Sequence, residues 1–221
     1  MPSTLAQLET RVAANLFDAA NTIWATSQLD EAIRVALDEY QAAAPLPAET
    51  VIIAPAAGRE IALNGITGLL AVTDVWWPYD STVAEEWPPV RVGYRVYWDD
   101  ARPVLMLNAK DGAQPALSDE LRIFYTLRHT IQNLDSGATT TLRADHESHF
   151  VTGATAHAAI QRGADLIEKY GSRSGDAARY EAFGLRRLAE WRNFLAALRV
   201  TPTGAEAFPP RGWRLDKWDN S

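Results

Sequence analysis

The strongest constraint on this chain is a change of hydrophobic period that happens twice. Leu5, Leu8, Val12 and Leu16 recur at helical spacing, as do Leu29, Ile33, Leu37 and Tyr40. Pro45 and Pro47 then stop helix. Beyond them the period becomes two. Val90, Val92, Tyr94, Val96 and Trp98 alternate with Arg91, Gly93, Arg95 and Tyr97, and Leu121, Ile123, Tyr125, Leu127 and His129 alternate with Arg122, Phe124, Thr126 and Arg128. Helical spacing returns with Thr152, Ala156, Ala159, Gly163, Leu166 and Tyr170, and again with Tyr180, Gly184, Leu188, Trp191, Leu195 and Leu198. A chain with a helical pattern at both ends and short strands between them is α+β.

The expected architecture is a helical bundle of about four helices with an inserted antiparallel β region and an extended C-terminal tail. Its parts are an N-terminal helical hairpin at 1–47, the β insert at 48–135, a C-terminal helical pair completing the bundle at 136–200, and the tail at 201–221. Thr4 with Gln7 forms a capping box for the first helix, and Ser27 with Asp30 is a second such signal. Short strands are expected at 50–54, 60–63, 69–77, 90–98, 104–107 and 121–129, with Pro78 ending the third. They form one antiparallel sheet or a small sandwich. The third helix spans 145–170 and the fourth 176–200, separated by the polar run Gly171-Ser172-Arg173-Ser174-Gly175.

Composition removes several function classes. With no cysteine there is no disulfide framework, thiolate nucleophile or sulfur-ligated metal. The start of the sequence has no basic segment leading into an apolar run, so no signal peptide is expected, and no apolar stretch is long enough to span a bilayer. The formal net charge of -7 opposes a protein that grips DNA through clustered cations, while leaving room for one that surrounds DNA.

Candidate chemistry is sparse. Asp145-His146-Glu147-Ser148-His149 approaches a zinc-protease helix, but that motif needs histidines four apart, and Phe150 holds the second ligand's place. His129 and His157 read as hydrogen-bonded or surface histidines. The 171–175 run has no lysine and follows a helix, so it is a linker and not a phosphate loop. No Gly-x-Ser-x-Gly elbow is present. No catalytic residue, metal or cofactor is expected. The remaining candidates are aromatic. Trp76, Trp77 and Trp87 bracket an acidic loop. Phe208, Trp213 and Trp218 are interleaved with Arg211, Arg214 and Lys217 in a tail broken by Pro202, Pro209 and Pro210. Tryptophan and arginine dominate interface energies, so these positions are candidate partner contacts.

The order of features resembles the head–tail adaptor (connector) proteins of tailed phages. The residues concerned are Leu-x-x-Leu-x-x-x-Val from Leu5, then Leu29-Asp30-x-Ala32-Ile33-x-x-Ala36-Leu37-x-x-Tyr40, then Ala42-Ala43-Ala44-Pro45 before a β region. Tyr125-x-x-Arg128-His129-Thr130, Asp135 and Thr139-Thr140-Thr141-Leu142 follow, and then a small-residue helix. The resemblance covers most of 4–200. It implies a structural virion protein, not an enzyme, that forms a homo-oligomeric ring of about twelve copies with heterologous side-to-side contacts. It implies as partners the portal protein, the next tail or neck protein, and genome DNA that passes through without specific binding. It places the chain in the virion neck, assembled in the host cytoplasm, with no membrane. Two other readings compete: a neck stopper or tail-completion protein, and a carbohydrate-binding module or small hydrolase suggested by the Trp-rich β region.

Overall fold

A computed structural model describes residues 3–20, 22–83, 90–100, 102–109, 112–170 and 175–200. The chain is α+β, and its described residues form four helices and two small antiparallel sheets in two compact units. The first unit joins 3–46 to 128–200, and the second is 47–127.

The helical unit contains α1 (Leu5–Asn15), α2 (Thr26–Ala43), α3 (Glu147–Tyr170) and α4 (Gly175–Val200). The expected stripes face its core. Leu8, Val12, Leu29, Ile33 and Tyr40 are buried against Phe150, Leu188, Trp191 and Leu195. At the start of α1 the backbone N–H of Thr4 donates to Gln7 Oε1 at 2.9 Å, which satisfies one of the helix's orphan donors. The second capping signal resolves differently. Helix α2 begins at Thr26, and the donor is the Ala25 N–H to Gln28 Oε1 at 3.0 Å, so Ser27 and Asp30 lie inside the helix. Glycine and alanine let α3 and α4 approach closely. A Cβ on Gly153 would lie 2.7 Å from Trp191 ring carbons, and one on Gly184 would lie 2.6 Å from Ile160.

The connection at 128–146 belongs to this unit and has no regular period. Threonines order it instead. Thr130 N–H donates to Thr141 Oγ1, Gln132 N–H to Thr140 Oγ1, and the Thr130 hydroxyl to the Thr139 carbonyl, all at 2.7–2.9 Å. Ile131, Leu134 and Leu142 are buried beneath them. Asp135 takes a bidentate pair from Arg34 of α2 at 2.9 Å.

The β unit holds β1 (Leu46–Ile53), β2 (Glu60–Ala62), β3 (Leu69–Tyr79), β4 (Gly93–Asp99), β5 (Arg102–Asn108) and β6 (Glu120–Leu127). They form two three-stranded sheets, ordered β1-β6-β3 and β2-β5-β4. One core cluster draws on both, with Val75, Leu121 and Ile123 from the first and Ile61, Leu105 and Leu107 from the second. The sequence expectations shift in several places, and β1 starts at Leu46, taking in Pro47, where the strand is expected from 50, while β5 starts at Arg102 where it is expected from 104. Strand β3 runs through Pro78 to Tyr79, with a break in register between Trp76 and Tyr79 where proline's missing N–H is accommodated. The 90–98 pattern divides: Val92 N–H donates to the Val75 carbonyl beside β3, and regular pairing with β5 begins only at Gly93. Strand β6 ends at Leu127, because His129 turns into the helical unit.

Candidate interaction surfaces

The histidines of the helical unit, and its carboxylates Glu39 and Glu147, are engaged in packing and hydrogen bonds. The His129 Nε2–H donates to the Ala44 carbonyl at 2.8 Å, and its Nδ1 lies 3.1 Å from the Thr141 hydroxyl. Burial pushes its pKa down, against the Ala44 and Thr141 hydrogen bonds, which act to raise it. The Tyr40 hydroxyl lies 2.7 Å from His146 Nδ1, and burial also lowers His146. The His149 ring stacks on Phe194 at 4.2 Å between centroids. Glu39 Oε2 accepts from His157 Nε2 at 3.0 Å and from the Trp191 indole at 2.6 Å. The pair read from sequence as a near-miss zinc motif therefore packs around Phe194, His149 stacked on its ring and His146 edge-on to it at 5.2 Å while bonded to Tyr40. Glu147, between them in sequence, accepts instead from Ser3 N–H and hydroxyl at 2.7 Å and from Arg11 at 2.8 Å. Burial would raise Glu147, but the Ser3 and Arg11 hydrogen bonds outweigh it and hold the carboxyl low.

The turn from α1 to α2 has an unusual tip. Phe17 N–H donates to the Ala14 carbonyl at 3.1 Å and Asp18 N–H to the Ala13 carbonyl at 2.9 Å, a Schellman closure of α1. The C′ position of that motif needs a left-handed backbone and is usually glycine. Here it is Phe17, with φ of 58° and 90% of its surface exposed. Asp18 behind it is buried, and its carboxylate accepts from Thr22 N–H and hydroxyl, Ile23 N–H and Trp24 N–H at 2.7–3.1 Å. Burial alone would raise the Asp18 pKa, but those hydrogen bonds overcome it and hold the group at about 2. In sequence 15–21 reads as a simple break, because nothing in residue type announces the sign of φ.

Among the described residues, depressions on this unit include two beside α4. One, of about 400 Å³, is lined by Leu16, Phe17, Tyr180 and Phe183 with Asp176 and Arg179. The other, of about 660 Å³, is lined by Ala42, Leu195 and Ala196 with Asp38, Glu39, Arg192 and Arg199.

In the β unit, Trp76 is 8% exposed and lies on the face of its sheet that carries Phe124 and Arg122. Its ring centre is 4.7 Å from Phe124, and the Arg122 guanidinium lies 5.1 Å from it. The Trp76 indole donates to Asp74 at 2.9 Å, and Arg122 pairs with Glu49 at 2.9 Å. Trp77 is half-buried against the core, with its indole 3.3 Å from Asp119. Exposed apolar groups here include Ile53 of β1, Val83, Val90, Leu117 and Trp98 of β4, the last 61% exposed despite its place in the alternating pattern. Of the tryptophan candidates, Trp87 lies outside the described residues, as do the tail positions Phe208, Arg211, Trp213, Arg214 and Trp218. Among the described residues, no helix is long and apolar enough to cross a membrane.

No family model matches the chain, and no curated protein matches it. Among solved structures it is similar to a chain from the neck of a native GTA particle computed with C12 symmetry. The two are 19% identical, the match covers 81% of this chain and 91% of that one, and the TM-score is 0.31, a slight likeness.

Proposed function

We propose that this chain is a structural protein of a phage-like particle's neck, a head–tail adaptor that forms a ring beneath the portal and catalyses no reaction. The observation that carries the reading is the ordered set of motifs resembling the adaptor family. The fold supports it by giving those residues joint roles. The motif residues Leu29, Ile33 and Tyr40 line the helical core, His129 ties Ala44 to Thr141, and Asp135 is clamped by Arg34. The groups best suited to chemistry, the histidines and Glu39, hold helices together, while large apolar side chains stand exposed on both units. Apolar exposure of this kind suits a protein that completes its packing in an assembly.

On this reading the partners are the portal, further copies of the chain and the next neck component. The tail residues Phe208, Arg211, Trp213, Arg214 and Trp218 engage a neighbour, and the net charge of -7 lets DNA pass without adhering. The test is localisation in assembled particles. A tagged chain imaged on intact particles should label the head–tail junction, and particles lacking the chain should yield filled heads and free tails. Label on the capsid surface or tail tip, or normal joining without the chain, would overturn it.

A further inference from the structure

We infer that Asn64 is a self-modifying position, where the folded chain converts its own side-chain amide to a carboxylate with water as the only co-reactant. The inference is independent of the neck reading.

Asn64 and Gly65 are the one Asn-Gly pair in the sequence. They lie between β2 and β3, in a turn closed by the Ile66 N–H, which donates to the Leu63 carbonyl at 3.0 Å. Such a pair ordinarily marks a hairpin turn whose two central residues need positive φ. Here it meets no such need. Neither residue has a positive φ, and a Cβ on Gly65 would meet nothing within 4 Å. Gly68, just beyond, does sit in the left-handed region, at 75°. Neither backbone conformation nor packing therefore calls for glycine at 65. What glycine supplies there is an unshielded backbone nitrogen directly after an asparagine amide.

That nitrogen is open to reaction. Both residues are exposed to solvent. A backbone N–H engaged in a hydrogen bond is held to its acceptor. Among the described residues, neither the Gly65 N–H nor the Asn64 side chain has a hydrogen-bond partner. Hydroxide takes the Gly65 amide proton, and the nitrogen attacks the Asn64 side-chain carbonyl carbon. The new C–N bond closes a cyclic imide as the old one breaks, and ammonia leaves with a proton from water. Water then opens the imide. Cleavage at the side-chain carbonyl gives aspartate, and cleavage at the main-chain carbonyl gives isoaspartate. No oxidant or reductant is needed, and either product is ionised at neutral pH, so the turn gains a negative charge. Asparagine is among the chemically labile residues for this kind of reason. The isoaspartyl product also places an extra backbone carbon inside a turn with anchored ends. Leu63 is buried, and its N–H donates to the Pro103 carbonyl at 2.9 Å.

The test holds the full-length native chain at mildly alkaline pH in heavy-oxygen water. The chain is then digested in acid in ordinary water, and labelled aspartate and isoaspartate are mapped by mass spectrometry. Residue 64 should convert at least tenfold faster than any other asparagine. Gly65→Ala should melt with the parent, because its Cβ meets nothing, and should slow the conversion at least tenfold. Native and urea-unfolded chains should convert residue 64 at rates within a few-fold of each other, because the folded turn leaves the nitrogen free. Conversion in urea without conversion in the native chain would show that the fold protects the site and would overturn the inference. So would a native rate at residue 64 no higher than at the other asparagines, or an unchanged rate in a folded Gly65→Ala variant.

Discussion

Replacing Gly153 by alanine tests how closely the long helices are fitted. Alanine is the better helix former by roughly 1 kcal/mol, so an unconstrained site would be stabilised. At Gly153 the new methyl carbon would lie 2.7 Å from two carbons of the Trp191 ring. Carbon atoms at rest keep about 3.5–4.0 Å apart. Trp191 has little room to retreat. It is fully buried, its indole donates to Glu39 at 2.6 Å, and its ring meets Phe150 edge-on at 6.2 Å. Overpacking of this kind costs about 1–3 kcal/mol, and the upper part of that range applies where the neighbour is pinned. After the propensity gain the net loss is about 1–2 kcal/mol, a fall in Tm of roughly 3–10 °C. Gly175, whose added Cβ would meet nothing within 4 Å, is the internal control. Thermal melts followed by the helical circular dichroism signal should rank Gly175→Ala at or above the parent and Gly153→Ala clearly below both. Equal melting of the two variants would refute the packing argument.

Two predictions concern pH. Glu9 is pushed up to about 7, first by burial and then by the Asp30 carboxyl beside it, so its contribution is fully present below about pH 4.5 and lost as pH rises through 7. Glu9→Gln should match the parent in urea midpoint near pH 4.5 and exceed it at pH 8; a difference that does not vary with pH would contradict this. Asp18, held at about 2, behaves oppositely, stabilising above about pH 4 and ceasing to do so as pH falls to 2. The deficit of Asp18→Asn should be full at pH 7 and close towards pH 2, whereas a constant deficit would show that the negative charge is not what the turn uses.

Sequence periodicity is a good guide wherever one face of an element is buried against one core. The Leu8–Val12 stripe of α1 and the Leu121–Ile123–Tyr125 alternation of β6 lie in the cores as expected. Periodicity fails where hydrogen bonds replace it. The 128–146 connection is ordered by threonine hydroxyls, and only its Ile131, Leu134 and Leu142 hint at burial. Strand partners are also hidden. Strand β1 lies beside β6 across most of the β unit's length, and local residue preferences carry no information about so distant a pairing. At the surfaces, residue type misleads in both directions. Trp76 is largely covered by Phe124 and Arg122, while Phe17, in an irregular break, is the most exposed large apolar side chain described. Tryptophan content says how much area can be buried, not where. The backbone sign that lifts Phe17 outward is a property of the Schellman closure and of the Asp18 clamp, visible only once the turn is folded.

Under the proposed function this chain is a passive ring component joined directly to the portal. That reading is tested most directly by mixing the purified full-length chain with its cognate portal, with no other neck protein present, and imaging the product. The account predicts a closed ring of about twelve copies, seated on the portal and sharing its axis, built from heterologous contacts. A chain that stays off the portal until another neck protein is added would contradict the adaptor assignment, and a chain that joins no symmetric complex under either condition would contradict the neck reading itself.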